Sequence, residues 1–182
     1  MRFVKEGEEA PKFAAKALDG SDVTLEGKLA EGDVDHVLLV FSRYFGCPVC
    51  QYEFSELVDA LPKLREARVA VVYFTQSSTE SAREFLEGRD VPFPVVCAAP
   101  LPGVKNGYQY YHEYGVGALS LTALPAMGRK VMAAKKAGIV HGPHEGFERQ
   151  SPAQVLVGPG GIVVHARKGT LALDKVFAAL GG

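Results

Sequence analysis

A chain of 182 residues with 47% hydrophobic content is long enough to bury a sizeable core as one domain, 1–182. Its formal net charge of −1 gives no reason to expect nucleic acid or an anionic membrane surface as a partner. Three cysteines do not make a secreted disulfide framework, no apolar run approaches a membrane span, and the first nine residues hold no apolar signal core, so a cytosolic, reducing setting is the expectation.

In chain order, Ala17-Leu18-Asp19-Gly20 leads through a turn signal to Val23-Thr24-Leu25, a small N-terminal hairpin. The β-branched and aromatic run 36–42 reads as a buried strand. Cys50, Phe54, Leu57, Val58, Leu61 and Leu64 then recur at three- and four-residue steps, the apolar face of a helix that Pro62 is expected to kink or split. Residues 69–75 form the next buried strand. Ser77-Ser78-Thr79-Glu80 opens a helix that Gly88 ends. Residues 93–97 read as a short strand near a sheet edge, because Pro92 and Pro94 cannot donate to a ladder.

Tyr108, Tyr110, Tyr111, His112 and Tyr114 form an aromatic cluster at helical spacing, mostly core. Residues 118–138 are helical in part, with Pro125 opening the second half, and Arg129, Lys130, Lys135 and Lys136 form a solvated face. Residues 139–149 read as loop. A hairpin follows, 153–157 and 162–165 around Gly158-Pro159-Gly160-Gly161, and then an amphipathic helix through Leu173, Val176, Phe177 and Leu180. Strands alternating with helices and closed by a hairpin argue α/β with a mixed sheet, helices on both faces and a helical insertion before the last hairpin.

The chemistry concentrates at Cys47-Pro48-Val49-Cys50, between the 36–42 strand and the helix after it. There the two sulfurs lie one turn apart at a helix N-terminus, where unpaired N–H groups and the macrodipole favour a thiolate. The first cysteine is expected to be the more exposed and the attacking one, the second partly buried and resolving. A structural zinc needs four ligands; Cys97, His141 and His144 are only loose candidates, and with no third ligand seen near His141-Gly142-Pro143-His144, that stretch reads as loop. No metal is expected. Arg43 stands where it can raise the thiolate fraction, with Tyr44 and Phe45 as an apolar rim, or it is an ordinary solvated arginine. Glu53, one turn beyond Cys50, is a candidate proton acceptor or local hydrogen-bond anchor. Cys97, at the end of a predicted strand, is a possible third redox thiol, against the plainer reading of a small buried hydrophobe.

Four segments carry a resemblance that spans most of the chain: Gly7-Glu8-Glu9-Ala10-Pro11-Lys12-Phe13, the stretch 41–53, Phe93-Pro94-Val95-Val96 with Tyr114-Gly115-Val116, and Gly158-Pro159-Gly160-Gly161-Ile162-Val163. With these the chain resembles the thioredoxin-like superfamily and, more narrowly, the alkyl hydroperoxide reductase/thiol-specific antioxidant group, the peroxiredoxin-like proteins. The resemblance implies a thioredoxin-like fold and thiol-dependent antioxidant reduction of peroxides. It implies no bound cofactor but an external thiol donor, such as a thioredoxin or glutathione system, and a possible homodimer.

In the family's register Cys50 falls on the peroxidatic cysteine, Cys47 on the usual threonine and Pro152 on the usual arginine. Arg149, three residues earlier, is a candidate stand-in for that arginine. Ser151-Pro152-Ala153 instead matches the thioredoxin arrangement, which implies a cis-proline facing the dithiol. Two other functions remain open: a protein disulfide reductase, and a redox-switched binding protein presenting residues 101–148 to a partner.

Overall fold

The protein is described here by a computed structural model covering residues 2–181, with Thr122 represented by its backbone. Strands β1 (Ala14–Lys16) and β2 (Asp22–Thr24) pair antiparallel as the expected hairpin. Thr24 caps the short helix α1 (Leu25–Leu29) by accepting from the Gly27 amide at 2.9 Å. Strand β3 (His36–Phe41) leads to helix α2 (Pro48–Glu66), and β4 (Val69–Thr75) leads to α3 (Thr79–Leu86). Ser78 is the N-cap of α3, accepting from the Ser81 amide at 3.2 Å. Strand β5 (Val95–Cys97), helix α4 (Gln109–Glu113) and helix α5 (Leu124–Lys136) follow. The chain closes with β6 (Ala153–Val157), β7 (Val163–Lys168) and α6 (Leu173–Leu180).

The main sheet has the order β5-β4-β3-β6-β7. β3 pairs parallel with β4 and antiparallel with β6, so the sheet is mixed and β3 lies at its centre. β5 is an edge strand, in keeping with Pro92 and Pro94 just before it. The alternation of side chains along β3 builds two cores. Val37, Leu39 and Phe41 face a cluster closed by Phe13, Leu25, Tyr110, Tyr111 and Tyr114. Leu38 and Val40 face the other, closed by Phe54, Leu57, Leu61 and Leu64 of α2, Ala82 of α3 and Val176 of α6. Each large side chain removed from water in this way contributes about 1.5–3 kcal/mol.

Helix α2 runs through Pro62 without splitting. An interior proline costs ~3 kcal/mol; here Leu57, Leu61 and Leu64, all buried around it, hold the helix against the sheet and offset that cost.

Candidate active site

Cys47 is the N-cap of α2 and Pro48 its first residue, a position where the missing N–H is no loss. The Cys47 Sγ accepts the Cys50 amide hydrogen at 3.5 Å. The loop that delivers it is pinned by the end of β4. The Arg43 carbonyl accepts from Gln76 N at 2.6 Å and Thr75 Oγ1 at 3.0 Å, and Phe45 N donates to Ser77 Oγ at 2.8 Å. From the opposite core the Tyr111 hydroxyl reaches the Ser42 carbonyl. These ties aim the Arg43 side chain back at the dithiol. Its Nη2 donates to Cys47 Sγ at 2.8 Å, and its Nη1 donates to the Glu148 carbonyl at 2.7 Å.

The two sulfurs are driven apart in acidity. Cys47 is pulled down to about 6, first by a hydrogen bond from the Cys50 thiol, against burial, then by the Arg43 charge and by the backbone amides of the helix start. The Cys50 thiol is pushed well up by complete burial and by the neighbouring Cys47 sulfur. Burial opposes the charge of Arg43, but the sulfurs and Glu148 outweigh it and the guanidinium stays protonated. Glu53, one turn on, is 6% exposed and accepts from Leu171 N at 2.7 Å. Burial, and then the charge of Cys50, raise its carboxyl to about 8.

The expected exposure of the first cysteine is not found: Cys47 is 1% exposed and Cys50 0%. Val49, Tyr44, Met127 of α5 and Leu119 pack around them. The loop 139–148 lies across the front as a strap. Gly142 N donates to Gly46 O at 2.8 Å, Phe147 N to Gln76 Oε1 at 2.9 Å, and Ser81 Oγ to Glu145 Oε1 at 2.9 Å. The Tyr44 hydroxyl donates to Glu148 Oε2. The approach at Gly46 is so close that a Cβ there would stand 2.2 Å from the Pro143 carbonyl oxygen.

Other expected site residues fall differently. No cis peptide bond occurs among the described residues, so Ser151–Pro152 is trans, the isomer that X–Pro bonds favour by about 0.5–1 kcal/mol. Pro152 is buried one step beyond the Phe41–Ala153 pair, beside the chain leaving β3, and its carbonyl accepts from Gly169 N at 2.7 Å. Arg149 does not stand in for the displaced arginine. Its side chain is exposed while its carbonyl binds Leu119 N, and the cation beside the sulfur is Arg43.

Cys97 is half-buried at the end of β5, two strands from the centre, and burial raises its thiol. All three cysteines are free thiols. A third ligand does stand near the two strap histidines: Glu148. The spacing His141-x-x-His144-x-x-x-Glu148 held that signal, but the acid lies outside the short clip that draws attention in the sequence. Among the described residues no helix is long and apolar enough to cross a membrane.

A five-stranded mixed sheet with a C-x-x-C at the helix start after its central strand defines a thiol oxidoreductase of thioredoxin-like fold. The chain belongs to the AhpC/TSA family, whose sequence model matches residues 7–166. Similar solved structures include the peroxidoxin BcpB of Mycobacterium tuberculosis, at 16% identity and a TM-score of 0.69 over 97% of this chain and 96% of that one. The reduced 2-Cys peroxiredoxin of Plasmodium vivax is 18% identical, TM-score 0.64, over 97% and 80%. A protein of Chlorobium tepidum named as a thiol:disulfide interchange protein DsbE is 22% identical, TM-score 0.62, over 98% and 99%. At these identities the likeness is one of fold. No curated protein matches the chain significantly.

Proposed function

We propose that the chain works as a single domain that reduces peroxides through the Cys47/Cys50 dithiol, with Cys47 as the attacking thiolate. The observation that carries the assignment is the 2.8 Å contact of Arg43 Nη2 with Cys47 Sγ, on the sulfur whose acidity is raised, while Cys50 is held as a thiol. The Cys47 thiolate attacks one peroxide oxygen, the O–O bond breaks, and water or an alcohol leaves with the second oxygen after taking a proton. The resulting Cys47 sulfenic acid condenses with the Cys50 thiol, releasing water and forming the disulfide. In that step the Cys50 proton leaves with the sulfenic hydroxyl as the water released. An external thiol, from a thioredoxin or glutathione system, supplies two electrons to restore the dithiol. This inverts the roles that the peroxiredoxin register gives to the two cysteines.

The strap favours a peroxide over a protein disulfide. A peroxide is a few atoms across and needs a smaller opening at Cys47 than a protein disulfide, which must displace a strap tied at Gly46, Arg43, Tyr44 and Gln76. Disulfide exchange remains the second reading. What favours it is that the low-pKa sulfur is the first of the C-x-x-C, and that Pro152 leaves no arginine in the place the peroxiredoxin register gives it.

Peroxide consumption coupled to a thioredoxin recycling system tests the assignment. Cys47→Ser is expected to abolish turnover, and Cys50→Ser to leave a trappable sulfenic acid on Cys47. Sulfenylation of Cys50 in the Cys47→Ser protein would reverse the roles, and insulin reduction without peroxide turnover would establish the exchanger. A homodimer is proposed from the family resemblance and a cytosolic setting from the cysteine usage, and sedimentation velocity of the full chain decides the dimer.

A further inference from the structure

His141, His144 and Glu148 of the strap each present one ligand atom, and these atoms all lie within 4.8 Å of one another. They converge on the hydroxyl of Tyr44, which reaches the cluster from the dithiol loop. His141 Nε2 is 3.3 Å and His144 Nδ1 3.1 Å from that oxygen, and His144 Nδ1 is 3.2 Å from Glu148 Oε2.

The hydrogens for this cluster fall short of the lone pairs. The Gly142 carbonyl, 2.6 Å from His141 Nδ1, can only accept, so that nitrogen carries the ring hydrogen and Nε2 turns a lone pair inward. The single Tyr44 hydrogen goes to Glu148. His144 Nδ1 faces two acceptors, Glu148 Oε2 and the Tyr44 oxygen, and holds its ring hydrogen there; an arriving cation displaces that hydrogen, after which two imidazoles and a carboxylate face one point with their electron pairs. The Gly142 carbonyl is the kind of outer partner that fixes the tautomer of a metal-binding histidine.

We propose that His141, His144 and Glu148 form a binding site for a divalent transition-metal ion of the zinc class, distinct from the dithiol, with the fourth position open to water or the Tyr44 oxygen. Zinc takes nitrogen at ~2.0–2.1 Å and carboxylate oxygen at ~2.0–2.2 Å, with three protein ligands and one open position in many sites. Closing from the present spacing of up to 4.8 Å asks for movement of His144 and Glu148, whose side chains are 71% and 51% exposed. Two imidazoles and one carboxylate suit zinc better than a hard cation such as magnesium, which prefers all-oxygen sites. The ion would tie residues 141–148 to the loop bearing Arg43 and Tyr44. It would pin the strap where it already covers Cys47.

The test is calorimetric titration of ZnCl2 into the full chain carrying Cys47→Ser and Cys50→Ser, so that the dithiol cannot bind the metal. The expected result is one zinc per chain. Adding His144→Ala or Glu148→Gln is expected to weaken binding by more than the ~10–100-fold that losing an orienting partner costs. Both are exposed strap residues, and circular dichroism confirms that each variant is folded. No zinc uptake by the chain lacking the dithiol, or uptake unchanged by either added substitution, overturns the site. Neither outcome bears on the peroxidase reading, which needs both cysteines.

Discussion

The Cys47 sulfur has two main supports, and they can be separated. The first is the hydrogen bond from the Cys50 thiol, set by the C-x-x-C spacing at the helix start. The second is Arg43, whose side chain is 12% exposed and so acts through a medium that screens it weakly. A cation this close to an acid lowers its pKa by about 1–3 units. Arg43→Met removes the charge and keeps most of the stem. The midpoint of the pH profile of Cys47 alkylation by iodoacetamide is therefore expected to rise from near 6 by about 1 unit or more. The midpoint is the informative quantity, because Arg43 also ties the strap through Glu148 and its loss alters the rate as well. A midpoint that stays put would mean that the helix start alone makes the thiolate.

At the scale of elements, the strap and helix α2 meet at Gly46. No positive φ accounts for this glycine; what excludes a side chain is the Pro143 carbonyl, 2.2 Å from where a Cβ would sit. Gly46→Ala is expected to push the strap outward, break the 2.8 Å bond between Gly142 N and Gly46 O, and open Cys47 to solvent. The alkylation rate of Cys47 at fixed pH is expected to rise several-fold over the parent, and an unchanged rate would show that the strap is no barrier.

None of this seat is legible in the sequence. Residues 139–149 read as loop because they lack periodicity, and loop they are. Their partners, Arg43, Gly46 and Gln76, lie 70 to 105 residues away, where no local pattern can point. Helix α2 shows the opposite case. Its apolar spacing and its start at the C-x-x-C are plain, and of the two effects open to Pro62 the split does not occur, because packing overrides local propensity. The identity of the cation at the sulfur was half legible. Arg43 lay four residues from Cys47 with either of two fates open, and the end of β4 decides it by gripping the Arg43 carbonyl.

Across the whole molecule, the α/β order was readable because β3, β4 and β6 are apolar runs buried on both faces, and their neighbours keep helical spacing. Placing a charge in that buried frame makes global stability a reporter of the site. In the reduced protein Cys47 titrates near 6 when folded and near its ordinary 9.0 when unfolded. Between those values the unfolded chain holds a proton that the folded chain has released, so stability rises with pH. The contribution is fully present above about 9 and lost as pH falls through about 6.

Glu53 works in the other direction. Held up to about 8, mainly by burial, it stabilises at low pH and loses that contribution as pH rises through 8. Burial is the first cause of that rise, so the contribution cancels between the reduced and oxidised forms wherever Glu53 stays buried in both. The oxidised protein has no thiol at position 47 to titrate. Urea unfolding of both forms between pH 6 and 8.5 is therefore expected to show the reduced form gaining on the oxidised one with rising pH, by up to ~1.4 kcal/mol per unit. Parallel curves would mean that Cys47 titrates alike in the folded and unfolded chain, and the thiolate assigned to it would have no basis.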